Sequence, residues 1–125
     1  KLYSFSVNAS EKEEILTYLI ENNFINEERF AKSFVRGKHN YKGWGKNRII
    51  QELKFREISK RNIDLALLEL PNEVYLENFH ALAEKNWLSI KEPKGQKRNK
   101  KFVDFLLRKG YETSLIYEKL NELDN

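Results

Sequence analysis

Residues 48–70 read RIIQELKFREISKRNIDLALLEL, and residues 101–123 read KFVDFLLRKGYETSLIYEKLNEL. When the two stretches are set at a constant offset, apolar residues coincide: Ile49 with Phe102, Ile50 with Val103, Leu53 with Leu106, Ile58 with Tyr111, Ile63 with Ile116, Leu67 with Leu120 and Leu70 with Leu123. The basic residues Arg56 and Lys109 also coincide. Such self-similarity is the sequence signature of a protein built from stacked copies of one unit.

The repeat extends toward the N-terminus. Further pairs are Ile25 with Val74 and Phe30 with Phe79, and Leu2, Val7 and Asn8 take the places of Leu53, Ile58 and Ser59. We therefore predict two complete modules, residues 24–70 and 71–125. The C-terminal part of a truncated first module, residues 1–23, is expected to precede them. Because the chain starts with Lys1 and not with methionine, we expect it to be a fragment.

Each module is predicted to contain three helices, because its apolar residues recur at helical spacing. In the middle module we expect helices at residues 26–40 and at about 46–56, and a third that begins at Ser59. Asn26 is the predicted N-cap of the first helix, with Glu27 and Glu28 in its first turn. Phe30 is predicted to face the core, so that Phe30→Ala would cost about 3–5 kcal/mol.

In the last module the helix boundaries are expected at residue 72, at residues 95–97 and at residues 112–113. Pro71 and Pro93 are expected to end helices. Three short helices bury little surface alone, whereas stacked modules share a core. The predicted fold class is all-α, with tandem three-helix repeats that form an elongated, curved array.

The composition excludes several classes of protein and of binding site. The chain has 125 residues, no cysteine, a net charge of +4 and a pI near 9.2. It therefore lacks a disulfide framework and any thiolate metal site, and its mild basicity is compatible with a polyanionic partner. No apolar run approaches the roughly 18 residues of a membrane span, and the first residues do not resemble a signal peptide. We expect a cytoplasmic monomer.

Catalytic chemistry is not apparent in the sequence. His39 and His80 have no histidine or cysteine at ligand spacing, so no metal site is predicted. We expect His39 to be a solvated loop residue and His80 to lie on a helix surface. The Gly43-Trp44-Gly45 loop follows a helix instead of a strand, which is the wrong context for a nucleotide-binding motif. We therefore expect neither an enzyme nor a cofactor.

Basic residues gather at the same place in both modules. The first group comprises Lys32, Arg36, Lys38, Lys42, Lys46 and Arg48, with Tyr41 and Trp44 between them, and the second comprises Lys94, Lys97, Arg98, Lys100 and Lys101, with Lys91 nearby. Stacked modules would align both groups as a stripe that suits phosphates, and Tyr41 and Trp44 could stack on bases. Alternatively, the second group is an ordinary solvated face, and Trp44 fills a gap between helices.

The segment FINEERFAKSFVRGKHNYKGWGKNRIIQELKFREIS, residues 24–59, resembles the central module of RecX proteins. The matching elements are Ile25, Glu27, Glu28, Arg29-Phe30-Ala31, Arg36, Gly43-Trp44-Gly45, Arg48-Ile49 and Glu52-Leu53. The resemblance covers almost the whole chain, since that family consists of tandem three-helix repeats. It implies a cytoplasmic bacterial protein that binds the RecA–DNA filament and modulates, most often by inhibition, its ATPase and strand-exchange activities.

Three residues depart from the family pattern. Asn26 stands where aspartate is usual, Lys46 replaces a proline after the loop, and Glu57 takes the place of a helix-ending glycine such as Gly110. A glutamate in a left-handed conformation costs roughly 1 kcal/mol. We therefore expect the turn at Glu57 to close differently from the turn at Gly110.

Two further interpretations remain. The modules could be stand-alone DNA-binding units that use their second helices as helix-turn-helix readers, or the chain could be a structural adaptor. The second helices carry different residues at the base-facing positions, Asn47, Arg48 and Gln51 against Lys100, Lys101 and Asp104, which disfavours a repeated reader. If the filament interpretation holds, joint replacement of Lys42, Lys46 and Arg48 by alanine is expected to weaken filament binding without unfolding the protein.

Overall fold

A computed structural model describes the backbone from Ala9 to Asn125, and before Ile25 it describes only the side chains of Ile15 and Asn23. Within residues 9–125 it contains helices and no strands. The helices are α1 (Ala9–Lys42), α2 (Lys46–Phe55), α3 (Lys60–Leu67), α4 (Asn72–Ser89), α5 (Gln96–Lys109) and α6 (Thr113–Asp124). The predicted all-α class with tandem three-helix units is confirmed. The module limits at residues 23 and 70 stay a prediction, and Leu2, Val7 and Asn8 lie outside the described residues.

The first helix is longer than predicted. Asn26 lies inside α1, so it is not an N-cap, and Glu27 and Glu28 are not in a first turn. Residues 9–36 contain neither glycine nor proline. An asparagine in a helix interior costs less than about 1 kcal/mol, so the single capping residue does not interrupt the helix.

The repeated turns close in the same way in both modules. Glu57 has φ 60° and Gly110 has φ 97°, both in the left-handed region. After Glu57 the Ile58 N–H donates to Leu53 O at 3.0 Å, and after Gly110 the Tyr111 N–H donates to Leu106 O at 3.1 Å. This is the Schellman pattern of hydrogen bonds. The expected difference between the two turns is therefore wrong: Glu57 adopts the left-handed conformation despite its side chain.

One helix start of the repeat, that of α3, has the cap that the sequence predicts. Ser59 precedes α3, and its side-chain oxygen accepts a hydrogen bond from the Asn62 N–H at 3.2 Å. The Glu27 carboxylate accepts hydrogen bonds from the Ser59 N–H at 2.8 Å and from Asn62 Nδ2 at 3.0 Å. These bonds, first that of the Ser59 backbone, lower the pKa of Glu27 below its ordinary 4.5. Glu27 thus ties α1 to the start of α3.

The core runs through both modules. Its largest fully buried side chains are Tyr75, Tyr111, Phe79, Phe102, Ile49, Leu53, Leu106 and Ile116. Phe30 was predicted to belong to this core, and that prediction is wrong because 45% of its surface is exposed. Phe79, with which Phe30 was paired from the sequence, is fully buried. The difference arises because Phe79 packs against Tyr111 at 5.0 Å, whereas Phe30 lies on the outer side of α1.

Candidate binding surface at the junction between modules

The two modules meet where α5 ends and α2 begins. The Gly45 N–H donates to Lys109 O at 2.7 Å, and the Asn47 N–H donates to Gly110 O at 2.9 Å. The first amides of a helix and the last carbonyls of a helix lack partners within their own helix. Here the start of α2 and the end of α5 supply those partners to each other, and no side chain caps α2 at Gly45. We call this contact the junction, formed by residues 42–48 and 108–112.

Two glycines allow the junction to close. A Cβ atom on Gly45 would lie 2.5 Å from the carbonyl carbon of Gly110, and a Cβ atom on Gly110 would lie 2.5 Å from Arg48 N. Both separations are far below van der Waals contact. Gly45 and Gly110 are therefore required for close packing of the two modules, which gives both glycines a structural reason independent of any ligand.

Tyr75 of α4 also stabilises the junction through its hydroxyl group. Its hydroxyl accepts a hydrogen bond from the Lys46 N–H at 2.9 Å and donates one to Glu112 Oε1 at 2.5 Å. Desolvation by burial, and then the hydrogen bond to Glu112, raise the pKa of Tyr75 above its usual value. Burial likewise raises the pKa of the neighbouring Tyr111 to about 12. Both phenols therefore stay neutral at physiological pH.

His39 also belongs to this assembly, and the expectation that it is a solvated loop residue is wrong. It lies in α1 with only 3% of its surface exposed. Its Nδ1 is 3.0 Å from Trp44 O, its Nε2 is 3.0 Å from Asn78 Nδ2, and its ring lies 5.3 Å from that of Tyr75. His39 thus fixes the Trp44 loop against α4. His80, by contrast, is exposed on α4 as predicted.

Trp44 lies at the centre of a group of cations. The Arg48 guanidinium carbon is 4.1 Å from the centre of the Trp44 ring, and Lys38 Nζ is 5.0 Å from it. The Trp44 ring also packs edge-on against Phe34 at 6.2 Å. The indole is half-buried. These contacts support the interpretation in which Trp44 fills a gap between α1 and α2, and its stacking on a base stays a prediction.

The cations continue across the junction onto the next module. Arg48 Nη1 donates to Arg108 O at 3.0 Å, and Lys109 Nζ donates to Lys42 O at 3.0 Å. Arg48 and Lys109 thus each reach a backbone carbonyl of the other module, and Lys38 shares the Trp44 ring with Arg48. We call Lys38, Lys42, Arg48, Arg108 and Lys109 the cationic strip. Lys38 and Lys42 line a groove along α1, and Arg108 lines a second groove between α4 and α5. The strip joins these two grooves.

Other residues of the first predicted group are partly neutralised. Arg36 forms an ion pair with Glu69 at 2.6 Å, and Lys32 lies 3.7 Å from Glu28. Lys46 Nζ lies 4.5 Å from the centre of the Tyr75 ring. For Lys42 and Lys38, no ion pair is found within the part of the chain that the structure describes. These two lysines thus contribute uncompensated positive charge.

Three residues of the second predicted group, Arg98, Lys100 and Lys101, form ion pairs within their own module. Lys100 pairs with Asp104 at 2.7 Å and Lys101 pairs with Glu92 at 2.8 Å. Arg98 pairs with Asp124 at 2.7 Å, which lowers the pKa of that carboxyl, and stacks on Trp87 at 4.1 Å. Within residues 9–125, Lys94 and Lys97 form no ion pair.

Position along α5 separates most of this second group from the strip. Lys94 lies just before α5, Lys97 and Arg98 lie in its first turn, and the junction lies at its end. Fourteen helical residues span about 20 Å. Lys101 comes nearest, because it lines the same groove as Arg108.

Two members of the strip could not be singled out from the sequence. Arg108 and Lys109 stand in the last turn of α5, where basic residues are commonly explained by the helix dipole alone. Lys109 coincides with Arg56 in the repeat, but this pairing does not indicate which residue Lys109 contacts. Only the docking of α5 against the Trp44 loop brings Lys109 to Lys42.

Among the described residues, no three His, Cys, Asp or Glu side chains are grouped closely enough to hold a metal ion. None of the helices that the structure describes is long and apolar enough to cross a membrane.

Comparison with known proteins identifies the modules. Residues 26–67 match the family model described as the second three-helix domain of RecX, and residues 73–120 match the third. "Regulatory protein RecX" of Vibrio campbellii is 39% identical over 99 residues, which are 79% of this chain and 62% of that protein. The protein of the same description from Vibrio vulnificus is 31% identical over 110 residues, 88% of this chain and 70% of that protein.

A solved structure agrees with the sequence relatives. The crystal structure of a regulatory protein RecX superposes with a TM-score of 0.69 at 29% identity, and the match covers 97% of this chain and 60% of that one. The chain thus spans somewhat less than two thirds of the length of several proteins that it matches. Two consecutive domain matches, similar relatives and the same fold lead to one conclusion: the chain belongs to the RecX family of regulatory proteins.

Proposed function

We propose that the chain binds the filament that a RecA-type recombinase forms on DNA and lowers its ATPase and strand-exchange activities. Membership of the RecX family supports a regulatory role. The observation that carries the proposal is the cationic strip, which crosses from one module to the next through direct contacts at the junction. The regulator acts in the cytoplasm, where such filaments assemble.

The strip is suited to phosphates of the filament's DNA. Its arginine and lysine side chains could neutralise phosphates and release condensed counterions, a contribution that weakens as salt rises. Because the junction is closed by backbone hydrogen bonds and by two glycine contacts, the backbone positions that carry the cations of both modules are fixed relative to each other. A preorganised surface loses less conformational entropy on binding than separate flexible side chains would.

The individual residues have different parts in this proposal. Lys42 and Arg108 have exposed side chains and are placed to contact phosphates. Arg48 both contributes charge and holds the junction through Arg108 O. Tyr41, which is 88% exposed, is available to stack on a base or on a protein surface. Lys46 supports the junction over the Tyr75 ring.

These separate roles change what the joint replacement of Lys42, Lys46 and Arg48 by alanine is expected to show. Removal of Arg48 and Lys46 would weaken the junction as well as the strip, so a loss of filament binding would have two causes. Alanine at Lys42 and Arg108 removes charge alone, because only their backbone carbonyl oxygens take part in the junction hydrogen bonds.

The alternative of a stand-alone helix-turn-helix reader is less compatible with the junction. Such readers insert the first residues of the recognition helix into the major groove. The first turn of α2 lies against the end of α5 through Gly45 and Asn47, and the Arg48 side chain is engaged there as well. In α5, Lys100 is paired with Asp104.

The test is DNA-dependent ATP hydrolysis by the recombinase of the same host, titrated with the chain. We expect suppression that saturates with the chain and that is weakened in the Lys42→Ala, Arg108→Ala double variant. Unchanged hydrolysis at saturating chain, together with tight binding to DNA free of recombinase, would replace the proposal with the stand-alone DNA-binding alternative.

A further inference from the structure

One face of α1 carries an apolar seam outside the core. Phe30, Phe34, Gly37 and Tyr41 follow one another at the i, i+4, i+7, i+11 spacing and line a groove of about 280 Å³. The Phe30 and Phe34 rings are 5.7 Å apart, and Phe30 and Tyr41 are exposed over 45% and 88% of their surface. This spacing is the one by which a helix packs against another helix.

Gly37 forms a recess at the middle of the seam. A Cβ atom built on Gly37 meets no other heavy atom within 4 Å among the described residues. Gly37 has an ordinary helical backbone, since it is absent from the positive-φ residues of the described chain. The recess between the Phe34 and Tyr41 positions could therefore receive a large side chain of a partner.

The rim of the groove is positively charged. Lys38 and Lys42 line it, and Lys38 Nζ lies 5.4 Å from the centre of the Phe34 ring. Neither lysine forms an ion pair with any carboxylate that the structure describes. An apolar floor with two uncompensated cations is complementary to a partner that combines an apolar residue with flanking carboxylates.

We propose that this seam docks an acidic amphipathic helix of the recombinase, with one large apolar side chain seated over Gly37 and carboxylates facing Lys38 and Lys42. This inference rests on the proposed function. It assigns the protein contact to α1 and leaves the DNA contact to Arg48, Arg108 and Lys109 of the strip, whereas Lys38 and Lys42 border both surfaces.

Other occupants fit the same groove less well. A second copy of the chain would bring the same lysine rim against itself, and like charges across an interface are unfavourable. Single-stranded nucleic acid uses aromatic rings that are open for stacking. Here the Phe34 ring at the middle of the seam is already covered by Lys38 and by the Arg56 guanidinium at 4.9 Å, so only Phe30 and Tyr41, at the two ends of the seam, present open rings.

A synthetic probe tests the seam without a recombinase. The probe is a fluorescein-labelled peptide helix of about 14 residues, long enough to cover the seam, with leucines on one face, glutamates on its flanks and alanines elsewhere. We expect saturable binding that Gly37→Trp weakens by about tenfold or more, because the indole fills the recess. A peptide with lysines in place of the glutamates should bind far more weakly.

Matched variants separate obstruction of the groove from damage to the fold. Gly37→Ala leaves the recess nearly empty and should bind the glutamate peptide as the wild type does. Asn40→Trp adds the same indole to an exposed position of α1 outside the groove and should also bind normally. If both peptides bind alike, or if Gly37→Trp and Asn40→Trp do not differ, the proposal is wrong.

The filament assay distinguishes this inference from the proposed function. With the recombinase filament as the partner, Gly37→Trp should weaken binding while its affinity for bare single-stranded DNA stays that of the wild type. If the wild type binds and inhibits the filament and Gly37→Trp does so equally well, the seam proposal alone fails. If Gly37→Trp loses affinity for bare DNA as well, the groove is a nucleic-acid surface and the seam proposal also fails.

Discussion

Replacement of Gly110 by alanine tests whether the junction is as closely packed as its geometry indicates. Gly110 has φ 97°, and a Cβ atom there would lie 2.5 Å from Arg48 N and 2.9 Å from Arg48 Cα. The obstructing atoms belong to the backbone of α2 and cannot rotate away. The methyl group must therefore push α2 and α5 apart.

The expected cost has two parts. An alanine in the left-handed region costs about 1 kcal/mol or somewhat more. Separation of the helices also stretches the hydrogen bonds from Gly45 to Lys109 and from Asn47 to Gly110, each of which contributes about 1 kcal/mol. We therefore expect Gly110→Ala to lower the free energy of unfolding by about 3 kcal/mol.

The repeat supplies a matched control. Glu57 has the same place in the middle module, with φ 60°, but its side chain is exposed. Glu57→Gly relieves the left-handed strain and should stabilise the chain by about 1 kcal/mol. Both variants can be measured by urea unfolding followed by circular dichroism. If Gly110→Ala lowers the free energy of unfolding by less than about 1 kcal/mol, the left-handed backbone conformation alone explains the loss. The junction would then not be closely packed.

Further predictions concern the core and the link from α1 to α3. Phe79→Ala should cost about 3–5 kcal/mol of unfolding free energy and Phe30→Ala about 1 kcal/mol or less, since only Phe79 is fully buried; equal losses in urea unfolding would contradict the assigned face of α1. Glu27→Gln should destabilise the chain by about 1 kcal/mol near neutral pH. The pKa of Glu27 is lowered in the folded chain, so its carboxylate stabilises the fold fully at pH values above 4.5, the ordinary pKa of a glutamate. This stabilisation is lost as the pH falls through the lowered pKa of the folded chain. The difference between wild type and Glu27→Gln should therefore shrink below pH 4.5, and a difference independent of pH would exclude this role.

The repeat register could be predicted from sequence because it depends on the order of apolar residues. Ile49, Leu53 and Ile63, and their counterparts in the last module, are buried as the register requires. Ser59 caps α3 because capping is a local interaction between residues three apart. The turn at Glu57 was predicted wrongly, because the cost of a left-handed glutamate was expected to change how the turn closes, whereas Glu57 adopts that conformation.

Features that depend on how modules meet were not predictable from one sequence. His39 lies close to glycines and polar residues in sequence, which favoured a loop, but its ring is buried because Asn78 and Tyr75 of the next module cover it. Phe30 was paired with Phe79 from the sequence, but the buried residues are Ala31, Val35 and His39 in α1 and Tyr75, Phe79 and Ala83 in α4, so the two phenylalanines do not occupy equivalent positions. The strip depends on the same meeting of modules, since Lys109 reaches Lys42 only across the junction.

The most direct test of the cationic strip is the salt dependence of filament binding. The affinity of the labelled chain for recombinase filaments on single-stranded DNA is measured by anisotropy over a range of salt concentrations, for the wild type and for the Lys42→Ala, Arg108→Ala double variant. If both side chains contact phosphates, the slope of log K against log salt should become shallower by about 1.4, at about 0.7 per phosphate on single strands. Parallel slopes for two equally stable proteins would contradict the account and remove the strip from the DNA contact.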